Sequence, residues 1–298
     1  MTHTLKGILS LVLATVIWGG AFVAQSAGME LIGPFTFQTV RCLLAVIALL
    51  ILVTVLEIRN LKQSIKKWAD KRLWLAGAVC GLTLFVATSL QQVGLVDTDA
   101  GKAGFITAMY IVIVPVFGIF LRRRPSIAAV ISVFIAVIGM YLLCCAGVTQ
   151  ISVSDILILG CAVAFAAQIT LIDRFAPDTD PLRLNCIQAL VVTVLSAVPM
   201  FLKESPQLQQ ITDCCVSLSY AGVLSMGFAY SLQIVGQKHL EPTAASLIMS
   251  LESVFAVIFG ALLLQERMTP WETAGSILVF LAVVLSQIPT PTKNKVAL

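Results

Sequence analysis

Two ionisable side chains fall well inside long apolar runs. Arg41 lies six residues into the run at 35–56, and Glu252 nine residues into the run at 243–264. An unpaired charge near a bilayer centre costs roughly 2.5–3.5 kcal/mol on insertion scales, so each requires a partner, water or a changed protonation state. At 1.5 Å per residue they lie about 9 Å and about 13 Å from opposite faces, leaving about 8 Å between their depths in a 30 Å core. Two readings follow: a structural ion pair that locks the halves of the chain, or a Glu252 that takes up a proton or a substrate ammonium. Aromatic and amide residues share these runs. Trp18, Ala21, Phe22 and Gln25 recur at i, i+3, i+4 and i+7, hence on one helical face. Phe165, Gln168, Ile169 and Ile172 repeat that spacing, and Gln91, Gln92, Thr107, Tyr110, Tyr230 and Gln233 add further polar groups. Amides and hydroxyls are costly against lipid and should face helices or water. Aromatic walls with a few polar anchors suit a small amphipathic solute. The competing readings are packing for Trp18 and Phe22, headgroup contact for Gln25, and helix–helix contact for Gln91 and Gln233. Catalytic chemistry has little to work with. The two histidines, His3 and His239, lie outside the runs, and the eight cysteines show no C-x-x-C or Cys/His spacing. No catalytic residue, metal or cofactor is expected.

The elements that position these groups follow from composition. Of 298 residues, 59% are hydrophobic and 11% charged, against about 25% charged in an average soluble domain. That excludes a soluble enzyme, a disordered chain and a disulfide-stapled secreted domain, and predicts an all-α integral membrane protein in a lipid bilayer. Ten runs are long enough to cross about 30 Å of hydrocarbon: 5–25, 35–56, 73–93, 103–121, 127–146, 155–172, 182–201, 214–236, 243–264 and 271–288. The net charge of +4 implies no nucleic-acid partner, because the basic residues fall in the loops. Fifteen Lys and Arg lie on the side of Met1; Lys102, Lys203 and Arg267 lie on the other. The positive-inside rule then places both termini in the cytoplasm. In the basic segment 57–72, Ile58, Leu61, Ile65 and Trp68 recur at helical spacing, as in a helix lying along the inner surface; a plain topology-setting loop is the other reading.

The chain also resembles itself. Ser-Leu-Gln-Gln-Val-Gly at 89–94 matches Ser-Leu-Gln-Ile-Val-Gly at 231–236 in five of six positions. Val133 to Ile138 echoes Val279 to Val284, Val116-Phe117 aligns with Val254-Phe255, and Pro34 and Pro181 precede the second and seventh runs. The offsets of 142, 146, 138 and 147 preserve one order. Five runs are an odd number, so the second half enters the membrane from the opposite face. Ten transmembrane helices as two inverted five-helix repeats are therefore expected, at 1–147 and 148–288, with 289–298 as a cytoplasmic tail. Inverted repeats are a common carrier plan, with the substrate held near the midplane between the halves.

The residues also resemble a known family. Trp18-Gly-Gly-Ala-Phe22 looks like the first-helix signature of the EamA-like drug/metabolite transporters. Residues 98–110, running on to Val114-Pro115, resemble its fourth helix; residues 243–255, followed by Gln265-Glu266-Arg267, resemble its ninth. Ser253 departs from the pattern, standing where the family carries proline after the glutamate, so no proline kink carries over there. The resemblance implies a ten-helix carrier of small metabolites, often an exporter, with a central cavity between the halves. It points to amino acids or related amphipathic compounds as substrates; the alternatives are a carrier of nucleotide sugars or other polar metabolites, with only Arg41 at depth to meet a phosphate, or a non-transporting integral membrane protein. The substrate-binding residues expected are Trp18, Phe22, Gln91, Tyr110, Gln168, Tyr230 and Gln233, with Arg41 and Glu252 as a charge pair or coupling site. Oligomeric state is not legible.

Overall fold

A computed structural model describes residues 3–98, 100–122, 125–144, 152–263 and 269–286. All regular structure among them is helical. In chain order the helices are α1 (His3–Met29), α2 (Pro34–Leu56), α3 (Leu61–Trp68), α4 (Lys71–Gly94), α5 (Ala100–Ala108), α6 (Tyr110–Phe120), α7 (Ile127–Cys144) and α8 (Val153–Phe175). Then follow α9 (Pro181–Lys203), α10 (Leu208–Asp213), α11 (Cys215–Ser219), a π segment (Tyr220–Ala229), α12 (Tyr230–Gln237), α13 (Pro242–Met249), α14 (Leu251–Leu263) and α15 (Pro270–Ser286). The boundaries follow ordinary capping chemistry. Pro34, Pro181 and Pro242 occupy first-turn positions, where a missing N–H costs nothing. Ser152 and Asp155 form a reciprocal capping box at α8, and Asp180 accepts from the Arg183 N–H at 3.0 Å to cap α9.

Among the described residues, eight helical stretches are long and apolar enough to cross a membrane, counting α5–α6, α11–α12 and α13–α14 as continuous. The runs at 127–146 and 271–288 give shorter apolar helices, Ile127–Leu142 and Thr273–Ser286, which pack along one another as α7 and α15. Residues 145–146 and 287–288 of those runs lie outside the described residues, as do the motif at 265–267 and the tail.

α2 lies along α9, α4 against α8 and α9, and α1 against α14, α12 and the π segment. Small residues set these distances. A Cβ at Gly77 would collide with Ile187, and one at Gly81 would come within 2.8 Å of the Val191 Cβ, so α4 meets α9 nearly backbone to side chain. Leu50, Ile51, Val55, Phe134, Val194, Val198 and Phe280 are exposed around the outside, an apolar belt of the kind lipid covers.

Two helices are interrupted at single residues. At Met109, between α5 and α6, and at Ser250, between α13 and α14, hydrogen bonding switches locally to i→i+3, with Met109 N–H to Ile106 O at 3.2 Å and Ser253 N–H to Ser250 O at 3.2 Å. The ninth run thus breaks although Ser253 replaces the proline. The break in the fourth run precedes Pro115, which sits inside α6.

Candidate binding cavity

The interruptions aim side chains inward. Tyr110 is the first residue of α6 and Glu252 lies in the first turn of α14, where the helix N-terminus favours a carboxylate. The Tyr110 hydroxyl donates to Glu252 Oε1 at 3.1 Å. Both side chains line a central cleft among the helices.

α1 gives this cleft its whole sequence-expected face: Trp18, Ala21, Phe22 and Gln25. Arg41 enters from α2, Gln91 from α4, Thr107 from α5, Phe165 and Ile169 from α8, and Tyr230 and Gln233 from α12. Trp18 and Tyr230 meet edge to face at 5.0 Å between centroids. Gln91 donates to the Thr107 hydroxyl at 3.3 Å. Of the nine residues singled out in the sequence, eight therefore border one space: Trp18, Phe22, Gln91, Tyr110, Tyr230, Gln233, Arg41 and Glu252.

Gln168 does not. It is fully buried behind Gln233, accepting from Gln233 Nε2 at 3.2 Å and donating to Gln188 Oε1 at 3.2 Å. Phe165 and Ile169 form the cavity edge of α8, and Gln168 lies on its flank toward α9 and α12. It is one member of an amide ladder, since Gln233 also donates to Gln237 Oε1 at 2.9 Å.

Arg41 and Glu252 share the cleft without forming an ion pair; no contact within 4.0 Å joins them among the described residues. Arg41 donates instead to Gln25 Oε1 and lies 5.8 Å from the Phe37 ring centroid. Each charge is held by a neutral neighbour. Depth along the helices, which suggested a pair, does not give the rotation that turns each side chain toward its own wall. Three polar atoms of lining residues, Trp18 Nε1, Arg41 Nε and Gln233 Oε1, have no hydrogen-bond partner among the described residues.

Ser225, Met226 and Met249 also line the cleft and were missed in the sequence. Ser225 and Met226 lie in the π segment, whose wider turn departs from the period of 3.6 that the face assignments used. The segment is held from α9. Asn185 Nδ2 donates to Met226 O at 2.9 Å, Gly227 O at 2.8 Å and Ser231 Oγ at 3.0 Å. On the other side Gly222 abuts α2: a Cβ there would lie 2.7 Å from the Arg41 carbonyl oxygen.

A helical membrane protein with a partly polar, aromatic-walled cleft among its spans has the form of a transporter. Comparison with known proteins makes the class definite. A family model described as the EamA-like transporter family matches residues 5–145 and again residues 152–287, and the chain belongs to that family. An Archaeoglobus fulgidus protein named as an uncharacterized transporter is 30% identical over 283 residues, covering 93% of this chain and 84% of its own. The Salmonella typhimurium protein YicL, named as an uncharacterized inner membrane transporter, is 25% identical with all of both chains covered. The fold is that of a solved crystal structure with a TM-score of 0.77, 15% identity and 96% of each chain covered. The protein is thus a multi-pass membrane transporter.

Proposed function

We propose that the protein is a secondary carrier that moves small amphipathic metabolites, amino acids or related compounds, across the cell membrane, chiefly as export. In this reading residues 1–147 and 148–288 are inverted five-helix repeats, the cleft between them opens alternately to the two sides, and both termini and the 289–298 tail face the cytoplasm. Packing supports the repeat plan, because exchanging the halves maps the α1–α12 contact onto α8–α4 and returns the α2–α9 and α7–α15 contacts onto themselves.

The observation that carries the solute class is a single cleft in which one basic and one acidic side chain stand apart, each on a neutral neighbour, among Trp18, Phe22, Phe165 and Tyr230. A solute bearing opposite charges and an apolar body complements that surface. A nucleotide sugar is the weaker reading: Arg41 is the one Lys or Arg among the lining residues, and a diphosphate normally calls for several donors.

Equilibrium binding of radiolabelled amino acids, amines, carboxylates and nucleotide sugars to purified protein tests this assignment. The expected ligands are zwitterions with apolar side chains, and Arg41→Gln should weaken them at least tenfold. Binding of nucleotide sugars in preference to all zwitterions would overturn it.

A further inference from the structure

The ends of α2 and α9 are tied to each other at both faces of the molecule by related contacts. At one face Glu57, just past the end of α2, accepts from Arg183 at the start of α9: Nη1 at 3.3 Å and, more closely, Nη2. At the other, Glu204, just past the end of α9, accepts from the start of α2: Phe35 N–H at 2.9 Å, Thr36 N–H at 2.7 Å and the Thr36 hydroxyl at 2.6 Å. Glu57 and Glu204 are 147 residues apart, and so are Thr36 and Arg183. That is the offset of Pro34 and Pro181, so shifting one tie by it gives the other. The same shift carries Leu61 at the start of α3 onto Leu208 at the start of α10.

Each tie is built to stay closed. Arg183 is 1% exposed and also meets Ser64 Oγ at 2.9 Å, Asp180 at 3.5 Å and the Trp68 ring at 5.4 Å. Arg183, with Lys67 and Ser64, holds the Glu57 carboxyl at a pKa of about 2, far below its ordinary value. At the other end α2 begins at Gly33, which has no side chain to cap it. Glu204 supplies that cap from the opposite half of the chain, and a Cβ at Gly33 would push its carboxylate, the flexible end of that side chain, off the cap. At the equivalent position in α9, Asp180 caps its own helix, which leaves Glu57 free to take the Arg183 side chain. Parting either tie would strip helix N–H groups or a buried guanidinium of partners.

Between the ties, Cys42, Ala45, Val46, Cys186, Ala189 and Val192 form a buried apolar seam. The 21 residue-to-residue steps from Thr36 to Glu57 span about 30 Å of helix, so the two points resist both sliding and splaying. This pair also positions the cleft: α2 carries Arg41, and α9 holds the π segment through Asn185.

We propose that α2 and α9 form a brace whose geometry is constant throughout the transport cycle, with Glu57, Arg183, Thr36 and Glu204 as positioning residues. The helices around the brace make the access change. The proposal rests on the carrier reading above.

Replacing each tie by a covalent one tests it. In protein lacking its native cysteines, Glu57→Cys with Arg183→Cys, and Thr36→Cys with Glu204→Cys, are bridged by a short bis-methanethiosulfonate, which forms a reducible disulfide at each cysteine with loss of sulfinate, and assayed by amino-acid counterflow in proteoliposomes. The expected result is that bridging at either end leaves transport at least equal to that of the unbridged variant. A fall of fivefold or more on bridging, reversed by reductant, would show that the ends part and overturn the brace. If the wild type moves none of the panel, the carrier reading fails separately. Spin labels at Asn60 and Pro177, and at Leu31 and Leu202, then decide: one narrow distance at each end supports the brace, and two distances at either end overturn it.

Discussion

Asn185 is the residue on which the π segment most directly depends. Its amide serves Met226 O, Gly227 O and Ser231 Oγ and is wholly buried. Asn185→Leu keeps the branched shape but adds volume at a buried site, and it removes both donors. The Gly227 carbonyl retains the Ser231 hydroxyl at 2.7 Å, so Met226 O loses its side-chain donor with no such replacement. Polar contacts between membrane helices average about 0.6 kcal/mol and reach about 1.7, whereas an orphaned buried carbonyl costs about 1–3 kcal/mol. The expected loss is therefore at least about 1–3 kcal/mol, with Asn185→Ala losing the same donors while leaving a cavity in place of the overpacking. Denaturation in detergent measures the loss. Thiol labelling of Ser225→Cys, added to either variant, reports the displacement of the cleft wall, and solute affinity should fall with it. A change within about 0.5 kcal/mol, typical of a neutral surface site, together with unaltered labelling would refute the reasoning.

Three further outcomes are expected. Gly33→Ala should displace Glu204 and uncap α2, costing about 0.5–2 kcal/mol, while Gly104→Ala, where a Cβ meets nothing within 4 Å, should show no clash cost. Glu57→Gln should lower the melting temperature equally at pH 7 and pH 5. The folded Glu57 carboxyl is depressed to about 2, so its stabilisation is present above the unfolded value of about 4.3 and disappears only as pH falls through about 2; a difference already lost at pH 5 would contradict this. Reporter fusions at Asn60 and Gln207 should give opposite signals, cytoplasmic at Asn60, and equal signals would refute the inverted arrangement.

Much of the fold was legible because lipid imposes a simple rule on sequence. Apolar runs marked the helices within a few residues, and Pro34 and Pro181 marked two starts. The cleft was legible where a regular helix carried it. Trp18, Ala21, Phe22 and Gln25 share a face at a period of 3.6, and all four line the cleft. Three features escaped for separate physical reasons. Ser225 and Met226 sit in π geometry, which changes the period. Gln168 has the right spacing, yet Gln233 stands between it and the cleft, and only tertiary packing reveals which of two amides is in front. Arg183 was counted only among the basic residues on the side of Met1; it is almost fully buried because α3 folds over it through Ser64 and Trp68. The two readings of 57–72 resolve in part through that contact: the segment is helical at Leu61–Trp68, with Ser64 buried and Ile65 exposed among the lysines.

Counterflow in proteoliposomes tests the central claim most directly. Vesicles preloaded with an unlabelled zwitterionic amino acid should accumulate its labelled form saturably when they contain the wild-type protein. Accumulation should fall at least tenfold with Arg41→Gln or Glu252→Gln in protein that still inserts and melts normally. Wild-type vesicles that accumulate no zwitterion above protein-free vesicles, or that do so equally well without either charge, would contradict it.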